Sequence, residues 1–140
     1  MAELPPGYEL VEDIDVAAAH AYLARSYWSP NIPYATVEGA IANSLCIAVR
    51  FEGEQVAFAR VVTDFATMAY LADVYVLEAH RGQGLSKAML AHLHTRPDLQ
   101  GLRRWLLFTR DAHALYAQFG WTPLPNPERA MLRDDAGVYA

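Results

Sequence analysis

Residues 68–86 read Met-Ala-Tyr-Leu-Ala-Asp-Val-Tyr-Val-Leu-Glu-Ala-His-Arg-Gly-Gln-Gly-Leu-Ser, and the change of pattern within them decides the fold. From Met68 to Val76 the run is nearly apolar, as a central strand covered on both faces requires. Gly82 and Gly84 break it. Leu85, Met89 and Leu93 then recur on one side of a helix that Pro97 limits. This order sets the free N–H groups of a helix start just past a buried strand. Small residues let a ligand approach such a backbone, and the N–H groups with the helix dipole favour anionic oxygens. Arg81 can add a charge-assisted contact. From the glycines alone, a diphosphate cradle and a plain strand-to-helix turn fit equally well. The spacing is neither the G-x-G-x-x-G dinucleotide fingerprint nor a P-loop.

Working outward, Tyr8 to Glu12 reads as a strand, and Asp15 as the cap of a helix through Val16, Ala19, Tyr22 and Leu23. Ser26 to Pro33 forms an aromatic, proline-stiffened loop, followed by a second helix over about Thr36 to Asn43. Leu45 to Phe51 pairs with Gln55 to Val62 through the turn Glu52-Gly53-Glu54, a hairpin signal. Downstream, Arg104 to Thr109 is predicted as a strand. Asp111 caps a helix through Leu115, Tyr116 and Phe119 that Gly120 stops. A last strand is predicted near Ala130 to Arg133. Strand-loop-helix units around one sheet give an α/β domain spanning residues 1–140.

A formal net charge of −5 argues against sequence-independent nucleic-acid binding, while leaving room for a local basic patch that holds one small anion. Cys46 is the sole cysteine and lies in an apolar strand, so neither an internal disulfide nor a thiolate metal site is expected. The five histidines show no metal-ligand spacing and read as ordinary surface residues. No basic stretch leads into an apolar run at Met1 to Pro6, and no apolar run approaches the ~20 residues that cross a bilayer. The expectation is a soluble, cytoplasmic protein without membrane partners.

At Arg81-Gly82-Gln83-Gly84-Leu85-Ser86 the chain resembles the GNAT superfamily of N-acetyltransferases. The hallmark of that superfamily, after the fourth strand, is Arg/Gln-x-x-Gly-x-Gly/Ala. Arg81 and Gly84 fall on its defining places, and Ser86 stands where Gly or Ala is usual. A second match is Ala112-His113-Ala114-Leu115-Tyr116 followed by Phe119-Gly120-Trp121, similar to the family's Ala-x-x-Leu-Tyr and Phe-Gly-Phe, with Trp121 replacing the second Phe. The resemblance covers nearly the whole chain and is firmest from Tyr70 to Trp121.

The resemblance implies the acyl-CoA N-acyltransferase fold: a mixed, mostly antiparallel central sheet, splayed near its middle, with about four flanking helices. It implies acetyl-CoA as cofactor, with the pyrophosphate on Arg81, Gly82, Gln83, Gly84, Leu85 and Ser86 and the pantetheine arm along Val74, Tyr75, Val76 and Leu77. Asp111, Ala112 and Tyr116 would complete that contact. It also implies direct acetyl transfer to an amine in a ternary complex, with a backbone N–H near Tyr75 and Val76 holding the carbonyl. Tyr116 would protonate the departing thiolate. The residues alone leave Tyr116 open to a packing role.

Asp73 is a carboxylate inside an apolar strand and must be hydrogen-bonded to lie there. It reads equally as the general base or as a structural carboxylate. Asp64, which also suits a turn cap, and Glu78 are the other base candidates. Tyr27, Trp28, Ile32 and Tyr34 would line the acceptor pocket, suiting a small amine with a ring or hydrophobic portion, or else would cover the core or a dimer contact. Three functions follow: acetylation of a small-molecule amine, acetylation of a protein lysine or N-terminus, and acyl-CoA binding without catalysis. A homodimer is compatible with the family.

Overall fold

A computed structural model describes residues 3–140; Met1 and Ala2, the start of the stretch expected to hold no signal peptide, lie outside them. The elements are β1 (Tyr8–Val11), α1 (Val16–Leu23), α2 (Tyr34–Ala42), β2 (Leu45–Phe51), β3 (Glu54–Thr63), β4 (Met68–Val76), α3 (Leu85–Thr95), β5 (Arg104–Leu106) and α4 (His113–Ala117). The five strands form one sheet in chain order. Strands β1 to β4 are antiparallel, and β5 runs parallel to β4. A parallel neighbour needs a crossover, and α3 supplies it. The mixed, mostly antiparallel sheet with four helices is the fold implied by the resemblance.

Strand alternation sorts the core into two layers. Ala59, Val61, Ala69 and Leu71 meet Leu85, Met89, Leu90 and Leu93 of α3 on one face. Cys46, Phe58 and Tyr75 meet Ala19 and Leu23 of α1 and Val37 of α2 on the other. Burial pushes the Cys46 thiol up to about 11, so it packs as a neutral group. Helix α1 is pinned at its start. Asp15 Oδ1 accepts from the Ala18 N–H at 3.0 Å, and the buried Gln55 amide grips both the N–H (2.8 Å) and the carbonyl (3.1 Å) of Asp15.

The sheet opens at β4. Its pairing with β5 covers only Met68 with Arg104, Ala69 with Trp105 and Tyr70 with Leu106. Just beyond, Arg60 faces Asp73 while Val61 faces Leu71, which makes Ala72 an extra residue. Such a bulge sharpens the twist and ends regular pairing. Strand β5 therefore stops at Leu106 rather than at Thr109, and the two strands part.

Two further expectations are corrected. Helix α2 starts at Tyr34, with Pro33 at its N-cap position, where a fixed φ and a missing N–H cost nothing. Residues 130–133 form no strand. A 3-10 turn at Pro127–Arg129 precedes them, and Met131 (97 %) and Leu132 (75 %) are exposed. Pro123, Pro125 and Pro127 offer no N–H donors, which removes ladder bonds in this segment.

Candidate active site

Where β4 leaves β5, its edge is free. The Leu77 N–H donates to the Val56 carbonyl at 2.8 Å, which fixes the phase of the β3–β4 ladder. In an antiparallel pair, successive residues turn their peptide groups alternately to the two neighbours. Val74 and Val76 therefore aim their N–H and C=O groups into the gap. The Arg81 guanidinium enters this gap too: Nε donates to the Val76 carbonyl at 3.1 Å and Nη2 to the Tyr22 hydroxyl at 3.1 Å. Its side chain braces the β4 edge rather than pointing along the glycine loop.

The gap is the floor of a cavity of about 630 Å³. At one end lies the loop. Gly82 and Gly84 both have φ of +79°, the left-handed region that favours glycine, and a Cβ on either would meet no atom within 4 Å. The first α-helical bond of α3 runs from the Ala88 N–H to the Gly84 carbonyl at 3.0 Å, so the N–H groups of Leu85, Ser86 and Lys87 have no helical partner. Arg25, Arg81, Lys87 and Arg110 line the cavity with His80; Arg25 pairs with Glu78 and Arg110 with Asp111, which leaves Arg81 and Lys87 as cations without a carboxylate partner among the described residues. A cationic rim in a chain of net charge −5, around free N–H groups and open backbone, is chemistry for a polyanion. The residues present thus fit a diphosphate.

Of the residues expected at the site, Val74, Tyr75, Val76, Arg81, Gly82, Gly84, Leu85, Ser86, Asp111, Ala112, Tyr116, Tyr27 and Trp28 line this one cavity. Tyr116 comes from α4, is 8 % exposed, and sits 5.9 Å from the Trp121 ring. Burial, assisted by the nearby Tyr27, pushes its phenol up to about 12. Tyr27 reaches across the gap: its hydroxyl accepts from the Arg110 N–H at 3.1 Å, and the Arg110 guanidinium lies 4.0 Å from its ring centre. Tyr22 stacks on Tyr75 with ring centres 4.1 Å apart.

The remaining expected residues lie elsewhere. Leu77 packs against the core with its N–H committed to β3, and Gln83 is exposed within the loop and does not line the cavity. Ile32 packs against the α1–α2 core, and Tyr34, the first residue of α2, turns to the His20 ring at 5.4 Å. The chain enters α2 one residue after Ile32–Pro33, which carries both away from the gap. Asp73 does not line the cavity. Its Oδ1 accepts from Trp28 Nε1 at 2.7 Å and its Oδ2 from Arg60 Nε at 2.6 Å. Glu78 is held in a two-point pair by Arg25 at 2.8 and 2.9 Å, which keeps its carboxyl low. Asp64 accepts from the Thr67 hydroxyl and three backbone N–H groups, as a turn cap does, which also holds its carboxyl low. Asp111 does not cap α4. The helix starts after Ala112, whose N–H goes to Thr109 Oγ1 at 3.1 Å.

Several lining residues escaped the sequence reading. Lys87 carried the one usable signal: a cation in the first turn of a helix opposes the dipole, unless an anion binds there. Tyr22 read as core, although its ring carries Arg25 at 4.3 Å. His80 and His94 read as surface groups, but His80 lines the cavity and accepts or donates at 2.9 Å with the Tyr8 hydroxyl.

His94 supports the Tyr116 side of the site. Its Nε2 accepts from Trp121 Nε1 at 3.0 Å, and burial lowers the imidazole from its ordinary value of 6.5. The unfolded chain takes up this proton first as pH falls, so folding stability drops from about pH 6.5 downward to the folded value. Denaturant midpoints at pH 7.5 and 5.5 should differ more in the natural chain than in His94→Gln. An equal difference would show that His94 is not the group responsible.

Residues 42–123 match the family model described as "Acetyltransferase (GNAT) domain". The chain is 31% identical over 128 residues to a Gibberella zeae protein named "Putative acetyltransferase FG08082", covering 75% of this chain and 71% of that protein. A crystal structure of a Xanthomonas campestris pv. campestris protein belonging to the GNAT family is 46% identical, with a TM-score of 0.92, over 96% of this chain and 98% of that one. The Escherichia coli ribosomal-protein-S18-alanine N-acetyltransferase is similar in fold, with a TM-score of 0.66 at 24% identity over 81% of this chain and 76% of that one.

Proposed function

Because this chain belongs to the GNAT acetyltransferase family, we propose that it moves an acetyl group from acetyl-CoA to the primary amine of a small molecule, by direct attack in a ternary complex. One juxtaposition carries the reading: the glycine loop, the free edge of β4 and the Tyr116 phenol line the same cavity. Acetyl-CoA supplies the activated acetyl thioester. The N–H groups of Leu85, Ser86 and Lys87, with the open backbone at Gly82 and Gly84, hold its diphosphate. The peptide groups of Val74 receive the pantetheine arm as a strand edge receives a neighbour; Arg81 holds the Val76 carbonyl, and the Val76 N–H, aimed at the thioester carbonyl oxygen, stabilises charge that develops there. Tyr116 Oη gives up its proton to the departing sulfur. The acceptor's proton leaves to water at the cavity mouth. Cys46, buried as a neutral thiol in β2, has no part in this route.

Tyr27 and Trp28, standing over the acceptor side, favour a small molecule over a polypeptide. The test pairs calorimetry of acetyl-CoA and CoA with a thiol-release screen over arylalkylamines, polyamines, aminoglycosides, amino acids and peptides. Binding of both nucleotides and release with a small amine is the expected result. Release only with peptides would move the acceptor to proteins. Tight binding without release from any acceptor would make the chain a binding module.

A further inference from the structure

We propose that Asp73 and Arg60 form a buried clamp that sets the Trp28 indole as a wall of the acceptor end, so that Asp73 is a positioning residue and the acceptor is chosen for a flat apolar portion. The proposal rests on the transferase reading above. Asp73 and Arg60 face each other across β4 and β3, and their side chains are only 8 % and 18 % exposed. An ion pair this deep is stable when further hydrogen bonds complete it. Here Arg60 Nη1 also donates to Ser44 Oγ at 3.1 Å, and the free carboxylate oxygen takes the Trp28 indole at 2.7 Å. Each Asp73 oxygen thus has a strong donor.

The clamp has a definite place relative to the chemistry. Asp73 lies three residues before Val76, about 10 Å back along β4 from the glycine loop end. Its side chain shares a sheet face with Tyr75 and Phe58, the face covered by α1 and α2. Tyr116 packs in the core layer of the opposite face. Trp28, with Tyr27 edge-on at 5.1 Å, therefore bounds the cavity across from the proposed proton donor. Without the clamp, nothing beyond Tyr22 at 6.2 Å and Tyr27 orients the indole among its described ring neighbours. A rigid indole face selects planar apolar groups.

The full chain serves for the test, with 2-phenylethylamine and n-butylamine as acceptor probes. Hydrogen exchange of the Trp28 indole N–H, assigned by its absence in Trp28→Phe, should be slow in the natural chain and at least tenfold faster in Asp73→Asn. Trp28→Phe leaves the ion pair intact and secures the test if Asp73→Asn fails to fold. In Trp28→Phe, KM for 2-phenylethylamine should rise about tenfold, KM for n-butylamine should change less, and acetyl-CoA affinity should hold. In folded Asp73→Asn, kcat should keep the shape of its pH profile. Loss of the acidic limb of kcat, with KM unchanged, would make Asp73 the base and overturn the proposal. Unaltered indole exchange in Asp73→Asn would do the same. Bound acetyl-CoA with no amine acetylated would instead count against the transferase reading, and the indole signal would then decide the clamp by itself.

Discussion

Gly84→Val is expected to weaken acetyl-CoA binding at least ~100-fold, about 2.7 kcal/mol. The reason is conformational. Gly84 sits at φ +79°, and nothing lies within 4 Å of where a Cβ would go, so the first side-chain carbon is not what a substitution strains. A β-branched residue in that region is nonetheless strained by about 1–3 kcal/mol. Relief comes from rotating the peptide groups on either side, which turns the unpaired N–H groups of Leu85 and Ser86 away from the cavity. The isopropyl group would also fill the open space that the loop otherwise leaves for the diphosphate. Calorimetry with acetyl-CoA and with free CoA reads the loss, and circular dichroism checks that the sheet is intact. Equal affinity in the folded variant would remove the loop as the diphosphate site.

Tyr116→Phe should cut kcat about 100-fold, the usual size of a lost proton donor, while leaving acetyl-CoA affinity within about twofold. The ring keeps its packing against Trp121, so the change removes one hydroxyl from a standing wall. Its pH dependence follows from burial. An unfolded tyrosine gives up its proton near pH 10, whereas the folded Tyr116 keeps it until about 12. The donor therefore stays protonated throughout the working range, and any alkaline fall of kcat well below pH 12 must come from another group. The same difference makes the folded state lose stability as pH rises from about 10 through 12, and Tyr116→Phe should lose less over that interval. Turnover equal to that of the natural chain would take the acid role from Tyr116.

Much of this site was legible in residues 68–86 and 105–121. An apolar strand, two glycines and a stripe of leucines report backbone conformation, which local sequence largely dictates. What escaped was side-chain company across long sequence distances. Asp73 read equally as a base or as a structural carboxylate because its donors, Trp28 and Arg60, are 45 and 13 residues away in the chain. Tyr34 was expected in the acceptor pocket because the loop was taken to run past Pro33, whereas the proline stands at the start of α2 and Tyr34 is its first residue. The Arg110 contact with Tyr27 spans 83 positions and left no local trace.

The order of strands and helices as far as α4, the glycine conformation at Gly82 and Gly84, and the placing of Tyr116 on a short helix after β5 follow from the chain's own pattern, because period, turn residues and caps act between near neighbours. Only the folded sheet decided where β4 leaves β5, which carbonyl Arg81 would brace and which partners Asp73 would satisfy. Those outcomes depend on the bulge at Ala72 and on the packing of α1 and α2 over one face, and such contacts form only once distant segments share a core.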